Sequence, residues 1–227
     1  MRALLLSNST NPGAATLAHA REAIRSCLDG AATLVFVPYA LADLDGYTAG
    51  TRAALDSIVE VVGAHTLAPA ELESAEAVYV GGGNTFRLLA RLQETGLLEV
   101  LRRRIPEGVP YVGASAGSCV AGPSIRTTND MPIVEPRGFA GLGLVPWHLN
   151  CHYLDTEPGP RRFMGETRDE RLEQFLEEND GPVVCLREGA WLEVSADDAR
   201  LGGTGGGKLL RRGGAPQELR TGDRLAR

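Results

Sequence analysis

The chain has 227 residues, of which 43% are hydrophobic and 23% charged, as in soluble globular proteins, and we expect a single domain over residues 1–227. The formal net charge of −6 argues against a nucleic-acid-binding protein, which would carry a basic face. The four cysteines form no Cys-x-x-Cys pair, and the first apolar run is too short for a signal peptide or a membrane span. We therefore expect a cytoplasmic protein with reduced thiols that binds neither nucleic acid nor membrane.

Strand-like and helical patterns alternate in the first half of the chain. Strands are predicted at residues 3–6, 33–37 and 77–80 and in the apolar run before Ser115; helices are predicted at 16–28, 48–62, 85–92 and 97–103. Such alternation is typical of a mostly parallel sheet covered by helices.

The second half of the chain is more varied. Residues 123–146 are rich in Pro and Gly and predict an extended excursion across the active face, and residues 168–178 predict a helix. The tail predicts antiparallel strands at 183–187, 190–194 and 208–211, joined by Gly-rich turns. The expected fold class is α/β with a β-rich C-terminal tail.

The apolar run at 109–112 ends in Gly113-Ala114-Ser115-Ala116-Gly117. This Gly-x-Ser-x-Gly pattern is typical of a nucleophile elbow, in which a strand turns sharply into a helix with serine at the apex. Glycine is needed on both sides because a Cβ would crowd the turn. Ser115 is the candidate nucleophile.

Two glycine-rich runs could surround a negatively charged group. Gly81-Gly82-Gly83-Asn84 follows a predicted strand and suits an oxyanion hole; it fails the dinucleotide pattern because Phe86 occupies the last glycine position. The run at 202–208 resembles a Walker loop, but Leu209 stands where a Ser or Thr would hold magnesium. We interpret the second run as a hairpin turn.

The base for Ser115 must come from four histidines. His19 lies on the first predicted helix and His65 near the end of the second, and both are expected to be surface or packing residues. Read as a strand, residues 144–153 place His148 and His152 on one face. A zinc site built on these two histidines is the rival interpretation, but no further clustered Cys or His completes a four-ligand set, so no metal is predicted.

Two carboxylates could orient the histidine. Asp130 precedes the histidine, in the chain order of other elbow enzymes, but lies in a loop. Glu188 directly follows a predicted strand, where ligands of α/β sheets gather. We favour Glu188 as the direct partner, with Asp130 shaping the pocket or supporting His152 indirectly.

Several segments together resemble the serine peptidase family that contains peptidase E and cyanophycinase. They occur in the family's order and read VGGGNTF (80–86), GASAG (113–117), IRTTNDMPI (125–133), NCHY (150–153), GETR (165–168) and EGAW (188–191). The resemblance implies a three-layer α/β sandwich with a mostly parallel sheet, related to class I glutamine amidotransferases. It also implies hydrolysis of dipeptides with N-terminal aspartate, Asp-X.

The resemblance also implies roles for individual residues. Ser115 would be the nucleophile and His152 the base, and Gly83 and Ala116 would supply oxyanion N–H groups. Arg168, near Arg161 and Arg162, would bind the aspartyl carboxylate, and Asn84 is a further candidate for substrate binding. The implied partner is a small peptide, the implied cofactor is none, and the expected state is a monomer or homodimer.

Three alternatives remain open. A cyanophycinase-like enzyme would cleave β-aspartyl-arginine and need an acidic pocket for the arginine. An α/β-hydrolase esterase would place its histidine late in the chain, yet no histidine follows His152. A catalytically dead binding module would not be expected to keep Ser115, His152 and both carboxylates intact.

Overall fold

The computed structural model describes residues 1–156 and 164–226 of the chain, and its strands form two sheets. The strands are β1 (Ala3–Leu6), β2 (Thr33–Val37), β3 (Glu60–Gly63), β4 (Val78–Val80), β5 (Tyr111–Ala114), β6 (His148–Asn150), β7 (Val183–Leu186), β8 (Ala190–Val194), β9 (Asp198–Gly203), β10 (Gly207–Leu210), β11 (Gln217–Leu219) and β12 (Arg224–Ala226). The α-helices are α1 (Arg21–Leu28), α2 (Leu44–Leu55), α3 (Pro69–Glu73), α4 (Thr85–Glu94), α5 (Leu97–Arg104), α6 (Ala116–Ala121) and α7 (Arg168–Glu178).

Among the described residues, eight strands form the large sheet, in the order β12-β9-β8-β1-β5-β4-β2-β3. The five strands from β1 to β3 in this order run parallel to their neighbours, whereas β8, β9 and β12 pair antiparallel at the other edge. The small sheet has the order β11-β10-β7-β6, in which β6 and β7 are parallel. The prediction of an α/β fold with a mostly parallel sheet and C-terminal strands is confirmed.

The large sheet buries apolar side chains on both faces. Along β1, Leu4 and Leu6 enter one hydrophobic cluster with α1, whereas Leu5 enters another with α4 and α5. Successive strand residues point to opposite faces, so an uninterrupted apolar run such as Leu4-Leu5-Leu6 is stable only in a sheet covered on both sides. Because β1, β5 and β4 are parallel neighbours, their carboxyl ends lie at the same edge of the sheet. The residues that directly follow these strands are Ser7, Ser115 and Gly81.

The predicted helix at 48–62 is wrong in its second half. The helix α2 ends at Leu55, and Glu60–Gly63 forms the edge strand β3 beside β2. Leu55 and Val59 fit a helical period, but the β-branched run of Val59, Val61 and Val62 is better accommodated in a parallel sheet. The first predicted helix also begins later, because Ala18–Ala20 form a 3₁₀ turn before α1.

The hairpin predicted at residues 202–208 is also wrong. Its two flanking strands, β9 and β10, belong to different sheets, so residues 204–206 carry the chain from the large sheet to the small one. Gly206 has a φ of +67°, and a Cβ at Gly205 would lie 2.2 Å from the Glu188 carbonyl oxygen. The glycines are thus needed for a tight crossing beside Glu188.

Two further observations concern the remaining chain. Residues 125–139 contain no helix or strand, as predicted for an extended excursion, and an isolated bridge between Ser124 and Ala140 closes it. In the described ranges, no helix combines the length and apolar character that crossing a bilayer requires.

Candidate active site

Ser115 stands at the turn between β5 and α6 with a backbone conformation that is rare for a residue with a side chain. Its φ is 51° and its ψ is −109°. Its N–H donates to the Leu6 carbonyl at 3.0 Å, which ties the turn to β1. A backbone held in such a sparsely populated region is typical of functional sites.

The two glycines that flank Ser115 are required by close backbone contacts. A Cβ at Gly117 would lie 2.0 Å from the carbonyl oxygen of Val80 on β4. A Cβ at Gly113 would lie 2.7 Å from the carbonyl oxygen of Gly117. The sequence pattern of the elbow thus corresponds to the packing of α6 onto the ends of β4 and β5.

His152 lies between Ser115 and Glu188. Its Nε2 is 2.9 Å from Oγ of Ser115, and its Nδ1 is 2.8 Å from Oε1 of Glu188. An ionised carboxylate only accepts hydrogen bonds, so the ring proton resides on Nδ1 and Nε2 is left to accept from the serine hydroxyl. In this arrangement, His152 Nε2 can accept the proton of the Ser115 hydroxyl.

The backbone of His152 is held by the end of β1. The strand β6 ends at Asn150, before the predicted strand would reach His152, and His152 itself has a φ of 52°. Its N–H donates to Oγ of Ser7 at 2.9 Å, and that hydroxyl donates to the Leu186 carbonyl at 2.8 Å. Ser7 therefore connects the histidine to the strand that precedes Glu188.

Asp130 does not contact His152 Nδ1. Its Oδ2 accepts from the Thr85 N–H at 2.7 Å and from the Thr85 hydroxyl at 2.5 Å. Thr85 is the first residue of α4, so the carboxylate sits at the N-terminus of that helix.

The glycine run after β4 borders the nucleophile. A Cβ at Gly82 would lie 3.2 Å from the Ser115 Cβ, and the Gly82 N–H donates to the Tyr47 hydroxyl at 2.8 Å. Gly83 has a φ of 129°, where a Cβ would approach Leu41 and Ala40. The N–H groups of Gly83 and Ala116 donate to no acceptor in the described ranges. Both are available for a ligand.

Arg168 begins α7 and lines the same cavity as Ser115. That cavity has a volume of about 210 Å³ and is lined by Thr85, Ser115, Cys119, Thr128, Asn129, Asp130, Cys151, His152 and Arg168. Burial lowers the pKa of the Arg168 guanidinium, and Arg171 nearby adds to this effect, but an arginine stays charged. Its Nη1 is buried without a hydrogen-bond partner in the described part of the chain. Arg161 and Arg162 lie outside the described residues.

Asn84 has its side chain engaged within the protein. Its Oδ1 accepts from the Arg87 N–H at 3.0 Å as the N-cap of α4, and its Nδ2 donates to the Met131 carbonyl at 2.8 Å. Asn84 thus holds the loop that carries Asp130 against α4 with one of the two N–H groups of its amide.

His148 is a packing residue. Its ring stacks edge-on against Phe175 with centroids 4.8 Å apart, and its Nδ1 is 3.2 Å from the Ser124 hydroxyl. Burial lowers the pKa of its imidazole. The part of the chain that the structure describes holds no group of three or more His, Cys, Asp or Glu side chains suited to a metal ion.

A charged network lies beneath the loops that carry His152 and Glu188. Arg187 contacts both Asp155 and Glu218, with closest distances of 2.6 and 2.5 Å, and Lys208 lies 2.6 Å from Asp155. Lys208 also donates to the Tyr153 hydroxyl at 3.0 Å, and this hydroxyl donates to Asp169. The network joins the neighbours in sequence of His152, Glu188 and Arg168.

Sequence reasoning missed several residues that support the site. Ser7 had a usable signal, because it begins a polar cluster directly after a buried parallel strand. Lys208 and Asp155 had none, because their pairing depends on the register between β7 and β10.

Comparisons with known proteins place these residues in context. The model of Peptidase family S51 matches residues 3–202. The chain is 55% identical to a Peptidase E of Streptomyces coelicolor, over 100% of this chain and 94% of the relative. It is 47% identical to a Probable alpha-aspartyl dipeptidase of Drosophila melanogaster, over 95% of this chain and 92% of the relative. The crystal structure of a peptidase from an acI-B1 Actinobacterium shares the fold, with a TM-score of 0.74 at 17% identity, over 99% of this chain and 96% of that one.

Proposed function

Because the chain belongs to peptidase family S51, we propose that it hydrolyses dipeptides with N-terminal aspartate, Asp-X, through an aspartyl-enzyme intermediate on Ser115. The enzyme is a serine-type peptidase, and its substrate is a peptide. The observation that carries the proposal is the chain of hydrogen-bond contacts from Ser115 through His152 to Glu188. Ser115 and His152 line a cavity that is also lined by Arg168.

The first half of the reaction is acyl transfer to the serine. His152 Nε2 takes the proton of the Ser115 hydroxyl as its oxygen attacks the aspartyl carbonyl carbon. Glu188 holds the imidazole in the required tautomer and stabilises the imidazolium that forms. His152 then gives the proton to the leaving amine of the second residue. In the second half of the reaction, water cleaves the resulting ester with His152 again as the base, so neither half needs a cofactor.

The N–H groups of Gly83 and Ala116 would stabilise the oxyanion of the tetrahedral intermediate. Both are unengaged in the described ranges, and the Ala116 N–H belongs to the first residue of α6. Donors that are already oriented are effective because they need no reorganisation as the charge develops.

Arg168 would select the aspartyl side chain. The guanidinium lines the small cavity, where a planar fork can hold a carboxylate with two hydrogen bonds. A longer glutamyl side chain would be displaced from the serine, and a neutral asparaginyl amide would leave the partly buried cation unpaired.

The test compares Asp-Leu, Asn-Leu and Glu-Leu as substrates. We expect Asp-Leu to be strongly preferred, and Arg168→Met to lower kcat/KM for Asp-Leu by roughly 30- to 1,000-fold while removing the preference over Asn-Leu. Arg171→Met is the matched control on the exposed side of the same helix, and Ser115→Ala is the inactive control. An undiminished Asp-over-Asn preference in Arg168→Met would assign the selection to another residue.

The same assay separates the alternatives. A cyanophycinase-like enzyme would cleave β-Asp-Arg in preference to Asp-Leu, and an esterase would cleave a p-nitrophenyl ester without peptide hydrolysis.

We further propose a cytoplasmic location and a monomeric or homodimeric state, since the composition and charge fit such an enzyme.

A further inference from the structure

The carboxylate of Glu188 depends on the backbone for its direction. The side chain is 46% exposed, and within the described part of the chain its carboxylate makes one hydrogen-bond contact, to His152 Nδ1 at 2.8 Å. With this single contact, the direction of the carboxylate is set by the conformation of residues 187–190, from which the side chain projects.

Residues 187–190 form a type II β-turn. The Ala190 N–H donates to the Arg187 carbonyl at 3.1 Å, and φ is positive at Gly189, at +81°, but not at Glu188. A type I turn makes the same hydrogen bond with the peptide between Glu188 and Gly189 facing the opposite way. Because the Gly189 N–H takes no part in the hydrogen bond of the turn, its acceptor decides between the two orientations.

Asn8 is the acceptor for the Gly189 N–H. Its Oδ1 accepts this hydrogen bond at 2.7 Å, and the residue is 2% exposed. Its Nδ2 donates to the Thr10 carbonyl at 3.0 Å and to Oδ1 of Asn11 at 2.7 Å, which keeps the oxygen end of the amide towards Gly189. The central peptide of the turn therefore contacts a buried amide whose orientation is fixed.

We propose that Asn8 is a positioning residue that acts through Glu188. By holding the Gly189 N–H, it keeps the turn in the form that aims the carboxylate at His152 Nδ1. This inference rests on the proposed function, in which Glu188 orients the histidine. Ser7, the preceding residue, accepts from the His152 N–H, so two consecutive residues after β1 position both members of the pair. Groups that transfer protons must be held to within about 0.5 Å, which such buried contacts can achieve.

A double-mutant cycle tests whether Asn8 acts through Glu188. In the wild-type background, Asn8→Ala should lower kcat for Asp-Leu roughly 10- to 100-fold with little change in KM, because a misplaced carboxylate impairs proton transfer and not substrate binding. In the Glu188→Ala background no carboxylate is left to be aimed, so Asn8→Ala should lower kcat by less than about threefold. A general loss of folded enzyme would lower the activity by a similar factor in both backgrounds.

A second variant separates the loss of the acceptor from the loss of packing. Asn8→Leu keeps about the volume of the side chain but offers no acceptor to the Gly189 N–H, so it should give the same pattern in the cycle. Asn179→Ala is the matched control, since it removes an asparagine side chain that donates to the Phe175 carbonyl at the C-terminal end of α7. This control should keep kcat within about twofold of the wild-type value.

The outcomes distinguish this inference from the proposed function. If Glu188→Ala is itself impaired and Asn8→Ala lowers kcat by equal factors in both backgrounds, this inference alone is overturned. A normal kcat in Asn8→Leu would also overturn it, since the acceptor would then be dispensable. A near-normal kcat in Glu188→Ala would refute the proposed role of Glu188, and this inference with it.

Discussion

At the scale of single residues, the reactive hydroxyl is displayed by a backbone conformation that costs free energy. A residue other than glycine at the φ and ψ of Ser115 costs roughly 1–3 kcal/mol. Buried hydrogen bonds around the turn offset this cost, because the Ser118 hydroxyl contacts the carbonyls of Leu6 and Gly113 at 2.7 and 2.9 Å. Tyr111 donates to the Gly117 carbonyl at 2.6 Å and fixes the other side of the turn.

Glu188→Gln tests the proposed orienting acid. The amide keeps the size of the side chain but can donate a proton to Nδ1, which would favour the wrong histidine tautomer. We expect kcat to fall roughly 10²- to 10⁴-fold with little change in KM, since His152 and Glu188 act on the reacting atoms and not on substrate affinity. Steady-state kinetics on Asp-Leu measure the effect. Near-normal kcat in Glu188→Gln would show that the 2.8 Å contact to Nδ1 is dispensable.

At the scale of elements, the position of the loop that carries His152 depends on side-chain contacts with the C-terminal strands. Lys208 on β10 and Arg187 after β7 both contact Asp155, and their side chains are mostly buried, at 19% and 22% exposure. The hydrogen bonds from Arg187 hold the pKa of the Asp155 carboxyl well below its usual range, and Lys208 adds to this effect. The C-terminal strands therefore brace the segment that follows His152.

Asp155→Asn is expected to destabilise the protein by about 1–2 kcal/mol at pH 7. This loss in the free energy of unfolding lies between those typical of exposed and of buried ion pairs, because Asp155 itself is 45% exposed and screened by solvent. A carboxyl whose pKa is lower in the folded state stabilises the fold above its unfolded pKa of about 3.9. The stabilisation is lost as the pH falls from there through the folded pKa, so the difference between variant and wild type should narrow in that range.

Denaturant unfolding at pH 7 and at successively lower pH down to about 2 measures this difference. Asp197→Asn is the control, because Asp197 is exposed and has no ion pair in the described ranges. A stability difference that stays constant through this pH range would mean that the charge of Asp155 is not the cause.

At the scale of the whole molecule, the two sheets share one hydrophobic core. Leu5 and Val80 of the large sheet belong to the same buried cluster as Val184, Leu186 and Leu209 of the small sheet. Burial of apolar surface between the sheets couples their stability, since separating them would expose that surface to water. We therefore propose that residues 1–227 form one domain.

The two tryptophans report on this coupling separately. Trp191 lies on β8 of the large sheet, and Trp147 precedes β6 of the small sheet. Fluorescence of Trp147→Phe and of Trp191→Phe should each follow one cooperative transition whose midpoint coincides with that seen by circular dichroism of the same variant. Within either variant, a fluorescence midpoint clearly different from the circular dichroism midpoint would show that the sheets unfold as two domains.

Local features of the chain could be predicted from the sequence. The alternation of apolar strands and amphipathic helices indicated the α/β class, because periodicity is a property of neighbouring residues. The elbow around Ser115 was recognisable because its steric demands fall on five consecutive residues. The edge strand β3 was mistaken for a helix because its residues continue the helical spacing of α2, and only pairing with β2 distinguishes the two.

Contacts between distant residues were decided by the tertiary structure. The sequence favoured Glu188 over Asp130 as the partner of His152 only from its position after a predicted strand, and Glu188 is 36 residues from His152 in the chain. The parallel pairing of β6 with β7 sets Asn150 beside Cys185, and this register carries His152 and Glu188 to the same end of the small sheet. The network around Lys208 depends likewise on the pairing of β10 with β7. Strand register arises from the packing of the whole chain, so no local pattern of residues encodes it.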